Sequence, residues 1–368
     1  MNTVRGAEVR GINRVESTLR VERRFGQTIL LSLLLLVVML GTGELVARSR
    51  MFKQRLIATD WGSSHQQFEL QMGRLETILA INGSVDCIFL GNSMVWRGFE
   101  PQVFARVYHE ESGRELRCFN FGVDGIPASG AGMVAPILVQ DFEPQYLIYG
   151  TDARDYAVPA HAQDAAVLLD MPWLRYRHGQ FSLRGWFYEH MHFLRYWESL
   201  GNLMRLQKTY LFLRKTYDVG AEHYGFTGDD TVGDYVGSSP LQHLELGSVR
   251  YYLDLLSDYK VLPENVNGLR EIASLNGSQT QVIIVEMPVP ETYLEFLGNG
   301  EQDYDRFLSE VENIAYNNQI PFLRTQALEL IPDDGWVDYS HLNTKGARIF
   351  SHWFATQMTA RVIEASKR

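Results

Sequence analysis

Read for apolar and polar positions, the chain first shows a stretch with no charged residue, 25–43, dense in leucine and valine. As a helix it would be about 28 Å long at ~1.5 Å per residue, enough to cross a bilayer with little tilt. Beyond it, 61–82 sets Phe68, Leu70, Met72, Leu75, Ile78 and Leu79 at helical spacing among polar residues, predicting a helix ended by Gly83. The pattern then changes to short, nearly continuous apolar runs at 85–90, 116–121 and 146–149, the signature of strands buried on both faces. Helices are predicted between them, over 100–111 with Pro101 in the first turn and from Pro127 through Met133, Ile137 and Leu138. After a long interruption, 280–285 and 321–323 predict a fourth and fifth strand around an amphipathic helix over 303–318. A helix over 344–365 follows.

Strand and helix alternating over short connections predict an α/β fold, a parallel sheet between two helical layers. The expected organisation is a cytoplasmic segment 1–24, a transmembrane anchor 25–47 and a juxtamembrane helix 48–82. The core lies in two parts, 83–155 and 251–368, around an insertion 156–250. Arg5, Arg10, Arg14, Arg20, Arg23 and Arg24 precede the apolar stretch, while Arg48, Arg50, Lys53 and Arg55 follow it. The bias favours a cytoplasmic amino terminus modestly, and so a single-pass protein with its main domain outside the cytoplasm, periplasmic or on the cell surface. A cleaved signal peptide is the rival; the long leading region and the lack of a small-x-small site in 41–48 favour the anchor.

The formal net charge of −10 argues against a nucleic-acid partner. Two cysteines, Cys87 and Cys118, are too few for a disulfide scaffold and read as buried small residues, unless their strands are neighbours in register. The insertion is rich in aromatic and basic residues, among them Trp173, Arg177, Trp186, Phe187, Trp197, Arg205 and Tyr217. Its helical spacing makes most of these packing residues; a lid or a membrane-proximal surface is the functional reading. His190 and His192 would diverge on a helix, and His161, His178, His223 and His243 lack ligand spacing, so no metal or cofactor is expected.

The candidate chemistry lies at two distant places. Gly91-Asn92-Ser93 ends the first predicted strand, where a hydroxyl would emerge at the carboxyl edge of a sheet, and Asp338 and His341 precede the last helix. Nucleophile, base and carboxylate are the minimum set for acyl transfer through a serine ester. With Asn120-Phe121-Gly122-Val123-Asp124-Gly125 after the second strand, the chain resembles the SGNH (GDSL-type) hydrolase family. It resembles more closely the membrane-anchored, envelope-acting branch that includes alginate-type O-acetyltransferases and D-alanine transfer proteins. The resemblance implies a flavodoxin-like three-layer sandwich, with Ser93 as nucleophile, His341 as base, Asp338 as its orienting acid, and the amides of Ser93 and Gly122 in the oxyanion hole. Its pattern has Gly-Asp-Ser where this chain has Asn92, and Gly-x-Asn-Asp where this chain has Gly150-Thr151-Asp152-Ala153. An ionised Asp152 would repel an oxyanion, so it must be protonated, turned away, or replaced by a neighbour such as Arg154. The expected function is a membrane-anchored esterase or O-acyltransferase acting on an acylated glycan or small acyl ester, with a membrane acyl-donor protein as a further partner. The rival is an idle SGNH-like domain serving envelope assembly or glycan binding.

Overall fold

The computed structural model describes residues 5–159, 162, 167–196, 224–326 and 329–366. Trp197, Arg205, Tyr217, His161 and His223 lie outside the described residues. Five parallel strands form one sheet in the order β2-β1-β3-β4-β5: β1 (Cys87–Gly91), β2 (Cys118–Gly122), β3 (Tyr146–Thr151), β4 (Gln281–Glu286) and β5 (Phe322–Leu323). This is the flavodoxin-like order, and the α/β expectation holds.

Period-two alternation divides the strand residues between two cores. Ile88, Leu90, Phe119, Phe121, Leu147, Tyr149, Val282 and Ile284 face one layer. It is built from α2 (Gln66–Asn82), α5 (Ala128–Phe142), α9 (Pro263–Ser274) and α10 (Glu301–Asn317). Phe89, Tyr146, Ile148, Ile283 and Val285 face the other, with α3 (Ser93–Gly98), α4 (Pro101–Ser112) and α11 (Thr344–Ser366). Burial on both faces is why the strands read as apolar runs rather than as alternating ones.

Cys87 and Cys118 stand opposite each other on β1 and β2, 4.4 Å apart at Cα, and are joined by a disulfide. The condition set on their strands is met, and the two are a bridge rather than separate buried thiols.

Helix α1 (Arg5–Arg48) contains the one span among the described residues long and apolar enough to cross a membrane, Phe25–Arg48. Side chains 25–42 are exposed, so this part of α1 leaves the domain instead of lying along it. Its last turn is gripped by the insertion, where α6 (Pro172–Arg177) and α7 (Leu183–His190) are followed by a 3₁₀ segment, His192–Tyr196. Arg48 Nη2 donates to the His190 carbonyl at 2.8 Å, and Glu44 accepts the His192 and Phe193 amides at 3.0 and 3.1 Å. Arg50 and Gln54 then donate to the Ala80 carbonyl at the carboxyl end of α2. From there the chain turns back along α2, so α1 is attached at the amino-terminal edge of the sheet.

The elements outside the predicted set include two before β4. Helix α8 (Gly247–Leu256) and α9 precede β4, and α9 supplies the crossover that brings β4 parallel to β3. The segment with Asp229, Asp230 and Asp234 is the solvated loop its composition suggests, with Asp230 and Asp234 exposed, but it is pinned to the domain at several points. Phe226 and Val236 are buried, Asp229 pairs with Arg97 at 3.2 Å, and the Asp229 carbonyl accepts the Thr344 amide.

Candidate active site

Ser93 occupies the first position of α3, directly after β1, and Asn92 is its N-cap: Asn92 Oδ1 accepts the Met94 amide at 2.7 Å. The turn is tight. A β-carbon at Gly91 would collide with the Gly150 carbonyl and Val95, and one at Gly122 with the Trp96 backbone, so glycine lets β2 and β3 close around the serine.

His341 Nε2 lies 2.8 Å from Ser93 Oγ, across 248 residues of chain. His341 Nδ1 lies 2.8 Å from Asp338 Oδ2. A carboxylate only accepts, so Nδ1 carries the proton there and Nε2 is left to accept from the serine hydroxyl. The imidazole is mostly covered, at 18% exposure, yet reachable. Sequence spacing suggests Asp338 one helical turn from His341; the structure replaces that turn with a bend before α11. In it Asp338 Oδ1 accepts the amides of Ser340 and His341, at 2.9 and 2.8 Å. The two residues meet because the aspartate side chain caps its own loop. Burial alone would raise the Asp338 carboxyl, but the hydrogen bond and charge of His341 and those two amides outweigh it, bringing it down to about 2.

Two further side chains hold this pair. Ser340 Oγ lies 3.0 Å from Asp338 Oδ1, and the buried Tyr252 hydroxyl donates to Ser340 Oγ at 3.0 Å. Sequence reading passed over both. Ser340 lies inside the Asp-x-x-His spacing, whereas nothing in the sequence ties Tyr252 on α8 to it.

The predicted oxyanion groups fare differently. The Ser93 amide belongs to the first turn of α3, where a helix leaves its N–H groups without internal acceptors. The Gly122 amide is already committed, donating to Asn120 Oδ1 at 2.8 Å, because Asn120 turns back on its own strand. The Asn120 Nδ2 donates to the Val95 and Phe99 carbonyls, both at 2.7 Å, which locks that rotamer. Gly122 therefore shapes the turn and does not present its N–H.

Asp152 is turned away, as one of the sequence alternatives required. Fully buried, it accepts from Asn92 Nδ2 at 2.9 Å and from the Tyr293 hydroxyl at 3.3 Å. Asn92 Nδ2 also donates to Asp155 at 2.7 Å. Arg154 is not the substitute donor to an oxyanion. It is itself buried, its Nη2 donates to the Gly125 carbonyl and the Tyr251 hydroxyl at 3.4 and 3.1 Å, and its Nη1 lies 3.7 Å from Asp155. Burial and the neighbouring Asp152 push the Asp155 carboxyl far up, and burial raises Asp152 against the pull of Arg154. Burial and their mutual repulsion thus disfavour ionising both carboxyls together, and Arg154 stands beside them beneath the nucleophile turn.

His190 Nε2 meets the Tyr176 hydroxyl at 3.2 Å, while His192 begins the 3₁₀ segment; both serve the anchor side of the insertion. His178 is held by the Met133 carbonyl, and His243 meets Ser238 and packs against Tyr235, which packs on Tyr339 in the Asp338–His341 bend.

No family model matches the chain, and no curated protein matches it. Among solved structures it is similar to an aryl esterase of M. smegmatis, with 11% identity and a TM-score of 0.34 over 75% of this chain and 99% of the other. It is similar to a carbohydrate acetylesterase from Sinorhizobium meliloti, with 10% identity and a TM-score of 0.35 over 75% and 99%. A gut microbial diltiazem-metabolizing enzyme gives 12% identity and a TM-score of 0.36 over 74% of this chain and 46% of that one.

Proposed function

We propose that this chain is a membrane-anchored serine esterase or O-acyltransferase of the SGNH type, acting on an acyl group of an extracytoplasmic glycan. One observation carries the reading: Ser93 Oγ, His341 and Asp338 stand in unbroken hydrogen-bond series, 2.8 Å at each link, at the carboxyl edge of a parallel sheet. Ser93 Oγ attacks the ester carbonyl while its proton passes to His341 Nε2, and Asp338 stabilises the imidazolium. The tetrahedral oxyanion meets the Ser93 amide and the amino end of α3. Collapse expels the alcohol, which takes the proton from Nε2, and leaves the acyl group on Ser93. Water or a sugar hydroxyl then repeats the attack with His341 as base, giving hydrolysis or transfer through one intermediate.

The Cys87–Cys118 bridge supports a domain outside the cytoplasm, where disulfides persist, and the apolar span of α1 supports a single-pass anchor. A membrane protein that hands over the acyl group would complete the transferase form of the reaction. The test is the full-length chain in detergent with a chromogenic acetyl ester and a fluorescent phosphonate. Wild type turns over and is labelled, Ser93→Ala does neither, and a folded wild type that remains unlabelled refutes the proposal. A second reading, an idle assembly or glycan-binding subunit, is favoured by the commitment of the Gly122 amide to Asn120 and of Asp152 to Asn92. It predicts glycan binding without turnover in the same assay.

A further inference from the structure

A cavity of about 430 Å³ opens where α1 joins the domain, walled by the residues that end and follow the apolar span, the carboxyl half of α2, and α6 with the 3₁₀ segment of the insertion. It lies at the amino-terminal edge of the sheet, opposite the edge that carries Ser93, and its size is that of pockets that take small molecules, ~300–1,000 Å³. Cations dominate its wall. Arg177 pairs with Asp141 at 2.7 Å and Glu189 at 3.3 Å, and Arg195 with Glu76 at 2.9 Å. Lys53 has to share that glutamate, from 3.5 Å. Arg48 has its own partner in Glu44, but Arg50 meets no carboxylate among the described residues: its Nε and Nη2 donate to the Ala80 and Ile81 carbonyls. Arg50 and Lys53 therefore stand as charge in excess. The field acts on His192 in the same wall, where burial and the charges of Arg195, Lys53 and Arg48 bring the imidazole down to about 3 and keep it neutral.

Two buried ring nitrogens in this wall, Trp61 Nε1 and His192 Nδ1, have no hydrogen-bond partner among the described residues. Trp61 is fully covered and lies under Arg195, whose guanidinium carbon stands 5.2 Å from the ring centre. An indole N–H only donates, and a buried one usually finds an acceptor. Unbalanced cations and an unused buried donor around one cavity suit an anion with several acceptor oxygens. The surroundings say which kind. Arg48 closes the apolar span, and Leu45, Val46, Met51 and Ile81, next to the lining residues in the chain, are all exposed apolar side chains. His190, whose carbonyl holds Arg48, lies 5.0 Å from the Trp186 ring, and aromatic rings at the end of an apolar span suit the headgroup level of a bilayer. A free anion would use none of these apolar groups, whereas a lipid with its phosphate in the cavity would lay its acyl chains against them.

We infer that this cavity binds the phosphate of an anionic lipid headgroup, taken from the leaflet that α1 enters beneath the domain. Arg50, Lys53 and the Trp61 N–H are the groups that face the phosphate oxygens. The inference rests on the anchor reading above and not on the chemistry at Ser93.

The experiment titrates the full chain in a neutral detergent and counts bound lipid by native mass spectrometry. Dioctanoyl phosphatidylglycerol is the probe, dioctanoylglycerol supplies the same chains without phosphate, and inorganic phosphate supplies the anion without chains. One phosphatidylglycerol should bind per chain, about tenfold or more tighter than either comparison. Arg50→Gln with Lys53→Gln should weaken it about tenfold or more, the equivalent of one charge-assisted hydrogen bond. Trp61→Phe, which keeps a ring under Arg195 and removes the donor, should weaken it about fivefold. Arg55→Gln, a flanking cation outside the cavity wall, should leave the affinity unchanged. An equal loss in Arg55→Gln and in the double variant overturns the site in favour of the general charge of the flank. Phosphatidylglycerol no tighter than dioctanoylglycerol overturns the anion, and inorganic phosphate bound as tightly as the lipid overturns the lipid as its source. Wild-type affinity in Trp61→Phe overturns the site even where the double variant loosens α1. Release of the chain from membranes by alkaline carbonate overturns the anchor and the lipid with it, whereas a retained chain that binds no phosphatidylglycerol overturns the cavity's role alone.

Discussion

Replacing Asn92 by aspartate strikes the buried group directly beneath the nucleophile. Asn92 donates both hydrogens of Nδ2, at 2.9 Å to Asp152 and 2.7 Å to Asp155, while its Oδ1 caps α3 through the Met94 amide. In Asn92→Asp the cap survives and both donors vanish, placing a third carboxyl among two that already share one arginine. A hydrogen bond to a charged group contributes about 1.5–3 kcal/mol, and a proton taken up by the new carboxyl restores one of the two bonds, so the net loss is about 2 kcal/mol. For a domain of this size, at ~2.1 cal/mol/K of unfolding entropy per residue, that lowers the thermal midpoint by about 3 °C. The pair Asn92→Asp with Asp152→Asn puts a donor opposite the new acceptor and should recover at least half of the loss. Thermal unfolding of the full chain in detergent, followed by tryptophan fluorescence, measures stability, and phosphonate labelling measures the site. A midpoint within about 1 °C of wild type for the single variant, or a double variant no better than the single, refutes the reasoning. Asn92 and Asp152 face each other as donor and acceptor, so exchanging the two residue types keeps one hydrogen bond between these positions.

Acid should weaken the fold through Asp338. Its native carboxyl titrates at about 2 against 3.8 unfolded, so the unfolded chain takes the proton first. About 2 kcal/mol, fully present above pH ~4, is lost as pH falls toward 2, and Asp338→Asn should flatten that part of a stability–pH curve. Ser340→Ala removes the link between Tyr252 and the Asp338–His341 pair; a loss of about 1 kcal/mol in stability with a several-fold fall in kcat and unchanged KM is expected from steady-state kinetics. Opening the Cys87–Cys118 bridge, by reduction or by Cys87→Ser with Cys118→Ser, frees a loop with a sequence separation of 31 and should cost about 3–4 kcal/mol in chemical unfolding.

The core was legible because its strands are buried on both faces. Apolar runs at 85–90 and 146–149 have few alternative readings, and the structure sets them beside each other as β1 and β3. Ser93 was legible for the same reason, since a strand of known end fixes where the next turn emerges. His341 and Asp338 were found by spacing, although a capping bend and not a helix brings them together. Gly122 was misread because an amide's availability depends on a side chain two residues away, and no pattern of apolar positions says where the Asn120 carbonyl will turn. Arg154 was misread on similar grounds: a guanidinium is always charged, but whether it faces a substrate or a buried acid depends on α8, which is not among the predicted helices.

The polarity of the sheet joins these facts. In a parallel sheet every strand begins at one edge and ends at the other, so a chain that enters the bilayer just before its first helix and strand is tethered at the amino edge. Its reactive turns, which follow the strands, are then carried to the far side. Here α2 runs antiparallel to β1 and adds no sideways displacement, since the chain returns along it from Arg50 to His65 before β1 repeats the path. Moving the anchor to the carboxyl end of α11 would preserve this arrangement, because α11 begins beside His341 and runs back along α4, so its own carboxyl end also lies toward the amino edge. Either attachment leaves the hydroxyl outward, and the aromatic side chains around His190 lie at the amino edge beside the end of α1.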